Sequence, residues 1–158
     1  MRVVPVWEIT AGGLACDDVV SLLTEHLSHM QAISPAGSVH ALDLLGLGAA
    51  DMTFWTAREG GVLLGCGALR DLGPTQGEVK SMRTTVAARG RGVAAALLTV
   101  VVQEARRRGY VRLSLETGPP AHFGAAHRLY ARHGFVTCGP FGDYRLNPFS
   151  TFMTLRLG

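Results

Sequence analysis

Cysteine is scarce in this sequence. Cys16, Cys66 and Cys138 are an odd, widely spaced set without a CxxC pair, which argues against a disulfide framework or a zinc ribbon and makes a reducing cytoplasm the expected location. Charge is also thin, 17% against 47% hydrophobic residues. That balance excludes an intrinsically disordered chain, because enough apolar surface is present to offset the entropy of ordering. Long hydrophobic runs are missing: the longest nearly apolar stretch, Gly92 to Val102, falls short of the ~20 residues that cross a bilayer. Around Met1 to Ile9, Arg2, Trp7 and Glu8 interrupt the few apolar residues, so no secretory h-region is expected there. Neither sign of charge dominates, the net being +3. That mild surplus suits a polyanionic small molecule as well as a nucleic acid and does not choose between them.

What is present fits one domain over residues 1–158, since a second core would need more chain. No internal repeat or linker-like stretch divides it. Val3 to Ile9 predicts an opening strand, and Asp17 and Asp18 precede Val19, Val20, Leu22, Leu23 and Leu27 at helical spacing. Ser38 is placed to cap a short helix through Leu45. Asp51 to Ala57 and Val62 to Arg70 flank Glu59, Gly60 and Gly61, a hairpin pattern. Glu78 to Val86 predicts a central strand. Val93, Leu97, Val100, Val101 and Ala105 then form a helical stripe that Gly109 ends. Val111 to Leu115 follows as a strand, parallel to the central one if the crossover is right-handed. A helix over Ala121 to His133 and strands over Phe135 to Phe141 and Phe152 to Leu157 complete a mixed α/β pattern.

The sharpest local feature is Arg89-Gly90-Arg91-Gly92-Val93-Ala94, set between a strand and a helix start. Glycines admit a ligand close to the backbone, and a helix N-terminus offers unpaired N–H groups and a positive dipole end, so the turn suits a phosphate. Gly90, Gly92 and Ala95 also fit a GxGxxA dinucleotide fingerprint, with Glu116 about 20 residues on. The context disagrees. Ala87, Ala88 and Arg89 separate the turn from its strand, that strand carries Glu78, Lys80 and Arg83, and the chain beyond Glu116 is too short for a second mononucleotide half.

Arg89, Gly92 and Ala94 match the (Gln/Arg)-x-x-Gly-x-(Gly/Ala) motif of the GNAT superfamily, and Ala126, Leu129, Tyr130, Gly134 and Phe135 match its A-x-x-L-Y-x-x-x-G-F segment. The runs ALDL, GCGAL, EVKSMR, LETG and PFGDY further resemble the small stand-alone bacterial acetyltransferases of the YsnE type. The resemblance covers nearly the whole chain. It implies an α/β fold with a mixed, centrally splayed sheet and helices on both faces, and an N-acetyltransferase activity that uses acetyl-CoA and a small-molecule or peptide amine. The pyrophosphate would lie on Arg89, Gly90, Arg91, Gly92, Val93 and Ala94, and the pantetheine arm along Met82 and Thr84. The Met82 N–H falls where the family polarises the thioester carbonyl, a preorganised donor aimed at developing charge. Glu78 falls where several members accept the ammonium proton, and Tyr130 where many protonate the departing thiolate.

Each role has a plainer counterpart. Glu78 fits a solvated strand-edge glutamate beside Lys80, and Tyr130 a packed helix tyrosine with its hydroxyl at the surface. Phe123 stands where many relatives have an asparagine, so one cofactor hydrogen bond is absent or replaced. His40, Asp43, Glu116, Phe141 and Tyr144 are candidate walls of an acceptor pocket. His122, His127 and His133 with Cys138 lack a shared helical face for a metal. Arg106 to Arg108 suit a helix C-terminus in solvent better than a nucleic-acid patch. No GxSxG elbow is present, so direct transfer is favoured over an acyl-enzyme. A non-catalytic acyl-CoA sensor remains the alternative in another class. Neither a nucleic-acid nor a membrane partner is expected, and pairing into a homodimer is left open.

Overall fold

The structure is a computed structural model that describes residues 7–33 and 44–158. In chain order its elements are β1 (Glu8–Ala11), α1 (Asp17–Ile33), α2 (Leu44–Leu47), β2 (Met52–Glu59), β3 (Val62–Asp71), β4 (Gln76–Thr84), α3 (Val93–Arg107), β5 (Arg112–Thr117), α4 (Pro120–Arg132), β6 (Val136–Cys138) and β7 (Thr151–Arg156). A short 3-10 turn, Val86–Ala88, sits between β4 and α3. The expected opening strand is met only at its end, since residues 1–6 lie outside the described residues. The expected helix from Ser38 is described only over Leu44–Leu47.

Seven strands form one mixed sheet in the order β1-β2-β3-β4-β5-β7-β6. The glycine turn at Gly60 and Gly61 joins β2 to β3, with both residues at positive φ, 57° and 82°, as a tight hairpin requires. The β4-α3-β5 unit makes the sheet's parallel pair, with Gln76 to Val79 opposite Arg112 to Leu115. Beyond Val79 and Leu115 the two strands have no further pairing in the register, and the sheet opens. β5 then pairs antiparallel with β7 through Thr117↔Thr151.

Helices cover both faces. On one, α3 buries Val93, Leu97, Leu98, Val101 and Ala105 against Leu64, Leu69, Val79, Leu113 and Leu115 of the sheet. Burial of a leucine such as Leu97 contributes about 2–3 kcal/mol. On the other face Val19, Leu22 and Leu23 of α1 and Leu47 of α2 pack on Phe54, Leu63, Cys66 and Ala68. The exposed pair Arg58 and Asp18, 2.7 Å apart, ties α1 to β2.

Two boundaries differ from expectation for local reasons. The strand expected to reach Val86 ends at Thr84, because the Ala88 N–H bonds back to Thr85 and begins the 3-10 turn. The strand expected over Phe135 to Phe141 shrinks to three residues. Phe135 is drawn into the core against Tyr130, and Pro140 has no N–H to extend a ladder.

Candidate active site

The opening between β4 and β5 is a cleft of about 1020 Å³. Its walls include Glu78 to Thr84 of β4, Glu116 and Thr117 of β5, the start of α3, Glu25 of α1, and Phe123, Leu129 and Tyr130 of α4. One irregularity shapes it. In the β3–β4 register Cys66 faces Arg83 and Ala68 faces Lys80, so Ser81 and Met82 together oppose Gly67. This is a β-bulge. Ser81 adopts φ 54°, a left-handed conformation that costs a non-glycine residue about 1–2 kcal/mol. Gly67 is required beside it: a Cβ there would come within 2.5 Å of Met82 Sδ. The bulge takes Met82 out of the regular ladder at the point where the sheet parts.

At the mouth of α3, Gly90 and Gly92 have φ of 76° and 85°, and Gly92 is the helix N-cap. The first bond into the helix runs from the Ala96 N–H to the Gly92 carbonyl, 3.1 Å. The amides of Val93, Ala94 and Ala95 therefore have no intrahelical acceptor. A Cβ on Gly90 would meet nothing within 4 Å, so the turn stands open to a ligand. Arg89, Gly90, Gly92, Val93 and Ala94 all border the cleft. Arg91 turns its side chain away, to Glu59 at 3.0 Å and over the Trp7 ring at 5.9 Å. Only its backbone is available to the turn.

Glu78 is not a solvated edge residue. It is 1% exposed, and its Oε2 accepts from Lys80 Nζ at 3.1 Å and from the Tyr144 hydroxyl at 2.6 Å. Lys80, the chain's single lysine, also donates to the Tyr144 oxygen at 2.8 Å. A charge pair this buried persists only when its partners are close and hydrogen-bonded. The other oxygen, Oε1, is buried without a hydrogen-bond partner. Glu116, one of the expected wall residues, lies where β5 leaves β4. Burial pushes its carboxyl up to about 7, against the opposing effects of Ser150 and Lys80.

Tyr130 is buried at 7% exposure and lies edge-on to Phe135, 5.7 Å between ring centres. Its phenol is raised above the ordinary range by burial and then by Glu116, so it holds its proton at any physiological pH. The surface-hydroxyl alternative is thereby set aside. Phe141 and Tyr144 pack edge-on at 5.1 Å, bringing the 141–150 loop over Glu78. His40 and Asp43 lie outside the described residues. Phe123 breaks the α4 helix geometry at φ −126° and packs so closely on Gly118 that a Cβ there would sit 2.2 Å from its ring.

Of the other sequence candidates, His122 borders the cleft and most of the rest are engaged elsewhere. His127 Nε2 and His133 Nδ1 pair with the carbonyls of Gly118 and Leu129. Arg107 and Arg108 pair with Glu104, and Arg106 with the Leu157 carbonyl. Cys66 is fully buried and its thiol pushed up to about 12 by burial, which fits a core role rather than a nucleophile. Sequence reasoning missed Arg83 and gave Lys80 no part in the site. The only local signal for the bulge that places them was glycine at 67 inside a strand.

A parted parallel pair, a bulged strand at the parting and a helix start with open amides match the architecture of acyl-CoA-dependent transferases. The Acetyltransferase (GNAT) family matches residues 20–135, and this chain belongs to it. It is 50% identical over 88% of its length to the uncharacterized N-acetyltransferase YsnE of Bacillus subtilis, covering 92% of that protein. It is also 40% identical over 87% of its length to an IAA acetyltransferase of Azospirillum brasilense, covering 89% of it. Among solved structures, a GNAT family acetyltransferase from Elizabethkingia anophelis with acetyl-CoA bound shares the fold at a TM-score of 0.69 and 16% identity, over 96% of this chain and 98% of that one. The protein is accordingly an acetyl-CoA-dependent N-acetyltransferase. Among the described residues no helix is long and apolar enough to cross a membrane.

Proposed function

We propose that the protein acetylates a primary amine by direct attack on the thioester of acetyl-CoA, with the reacting carbonyl at Met82 and the pyrophosphate at the Arg89 to Ala94 turn. The observation that carries this reading is the Ser81–Met82 bulge at the parting of β4 and β5. It leaves β4 backbone from Met82 to Thr84 unpaired on the β5 side for a pantetheine arm, and it offers the Met82 N–H to the oxygen on which negative charge develops. The open amides of Val93, Ala94 and Ala95 and the side chain of Arg89 serve the pyrophosphate at the positive end of α3.

Glu78 accepts the ammonium proton through Oε1, the oxygen left free by Lys80 and Tyr144. The neutral amine then attacks the carbonyl carbon and the C–S bond breaks. Tyr130 protonates the departing thiolate, a transfer for which its raised pKa demands close placement rather than acidity. The second proton, shed by the acetylated nitrogen as the amide forms, returns to the Tyr130 phenolate through solvent. A second reading of the base is favoured by one observation. The Glu116 carboxyl titrates near 7, which matches a general base at neutral pH better than an ordinary carboxylate does. The pH dependence of kcat/KM in Glu78→Gln and Glu116→Gln separates the two: the base is the residue whose loss removes the acidic limb of the profile.

Calorimetric titration with acetyl-CoA and with CoA tests the cleft. Wild type should bind both, and Gly92→Glu, which sets an anion in the turn, should reduce affinity at least 100-fold. Retained affinity in that variant would move the pyrophosphate elsewhere.

A further inference from the structure

Arg83 differs from the other arginines that the fold brings near a carboxylate. Arg58 is satisfied by Asp18 at 2.7 Å, Arg70 by Asp51 at 3.2 Å and Arg91 by Glu59 at 3.0 Å. Arg83 borders the cleft, is partly buried, and carries a buried Nε without a hydrogen-bond partner. Among the described residues no carboxylate lies within ion-pairing distance of it. Glu25 acts on it only across space, while burial and then the nearby Arg89 press its pKa down. A guanidinium partly withdrawn from water, with its buried Nε unpaired, is improved by a bidentate anion.

The bulge decides where this charge is presented. In a regular strand Glu78, Lys80, Met82 and Thr84 would share a face. The extra residue at Ser81–Met82 resets the alternation, so that Arg83 comes opposite Cys66 as Lys80 comes opposite Ala68. Cys66 and Ala68 both belong to the core cluster beneath α1. Arg83 therefore shares the α1 face with Glu78 and Lys80, whereas Met82 packs toward the cluster under α3. Lys80 is paired with Glu78, which leaves Arg83, among the described residues, as a cation of that face without an ion-pair partner.

We propose that Arg83 anchors a carboxylate of the acceptor, so that the substrate class is an amine bearing a nearby carboxylate, an amino acid or a close analogue. The inference rests on the reading of Met82 as the site of the reacting carbonyl. Arg83 directly follows Met82, so its cation is presented within one side chain's reach of the reacting carbonyl, and the acceptor's carboxylate lies within that reach of its amine. Glu78 is on the same face but opposite Arg70, ~13 Å along the strand from Arg83, so it takes the ammonium proton through bridging water. The anion that Arg83 seeks has a second chemical source, a phosphate of the cosubstrate, since Arg89 of the glycine turn is close enough to act on it.

The test uses the full chain, in wild type, Arg83→Met and Arg83→Lys, each checked for a cooperative melt. Thiol release from acetyl-CoA is measured with the standard amino acids, their carboxamides and their decarboxylated amines, and acetyl-CoA affinity is measured by calorimetry. Wild type should turn over at least one amino acid with kcat/KM tenfold or more above its carboxamide and its decarboxylated amine. Arg83→Met should erase that preference through KM, Arg83→Lys should restore part of it, and both should keep the acetyl-CoA Kd within twofold. Equal use of acid and carboxamide by wild type overturns the proposal, as does a preference that survives Arg83→Met. A tenfold loss of acetyl-CoA affinity in Arg83→Met assigns the side chain to a phosphate instead and equally overturns it. Turnover of none of these compounds by an acetyl-CoA-bound wild type rejects the substrate class while leaving the cofactor cleft standing. Failure of the underlying reading would look different: Gly92→Glu would keep the acetyl-CoA affinity of wild type, which moves the cosubstrate, and with it the reacting carbonyl, away from Met82.

Discussion

At the residue scale, Tyr130 and Glu116 border the cleft and both are shaped by their surroundings. Tyr130 is buried beside Phe135, so Tyr130→Phe preserves packing and removes only the hydroxyl. Its kcat should fall by about 10²-fold with the KM for acetyl-CoA unchanged, the split expected for a group that acts in the transition state. An unchanged kcat with no pre-steady-state burst of product would remove Tyr130 from the proton-donor role. Glu116 carries a folded-state pKa of about 7 against ~4.3 for an unfolded chain. Between those values the folded state binds more protons than the unfolded one, so stability falls as pH rises through that window. The Tm of wild type should therefore drop between pH 5 and pH 7.5, and Glu116→Gln, which has no charge to bury, should flatten that slope. A slope unchanged by the substitution would show that Glu116 is hydrated rather than buried.

At the scale of the element, β4 is the functional unit, because one inserted residue both aims Met82 and turns Arg83 to the α1 face. The strain is local: Ser81 holds φ 54°, and the bulge persists because β3 and the cluster around Cys66 and Ala68 hold both flanks. Ser81→Val should cost ~1–2 kcal/mol, since a β-branched side chain resists the left-handed region. Ser81→Gly should be neutral or slightly stabilising with activity retained. Denaturant melts paired with thiol-release assays check both. Loss of activity in Ser81→Gly at undiminished stability would give the hydroxyl itself a role. The α3 element is simpler. Its apolar stripe and its glycine N-cap are both readable from the linear pattern, because a helix start and a helix face depend on residues within one or two turns of each other.

For the whole molecule, the cleft lies between halves of the sheet that meet only through Gln76 to Val79 of β4 and the facing stretch of β5. A ligand bridging those halves stabilises the native state by mass action. At acetyl-CoA concentrations 100 times Kd the gain is about 2.7 kcal/mol, a rise in Tm of roughly 5–10 °C for a chain of this size. Thermal melts with and without the cosubstrate read this directly, and Gly92→Glu should abolish the rise. A rise that persists in Gly92→Glu would place the stabilising contacts away from the α3 turn.

The order of strands and helices, the hairpin at Gly60 and Gly61, the βαβ crossover and the glycine turn that opens α3 were all legible in the linear chain. They rest on periodicity, turn residues and neighbours close in sequence, and the family motifs lie in those same segments. The environment of the site was not legible. Tyr144 reaches Glu78 across 66 positions, Glu116 titrates near 7 only because the folded walls exclude water from it, and Arg83 faces α1 only because β4 bulges opposite Gly67. Burial, charge pairing and strand face are properties of packed neighbours, and residues far apart in the chain become neighbours only when the sheet and its helices close around them.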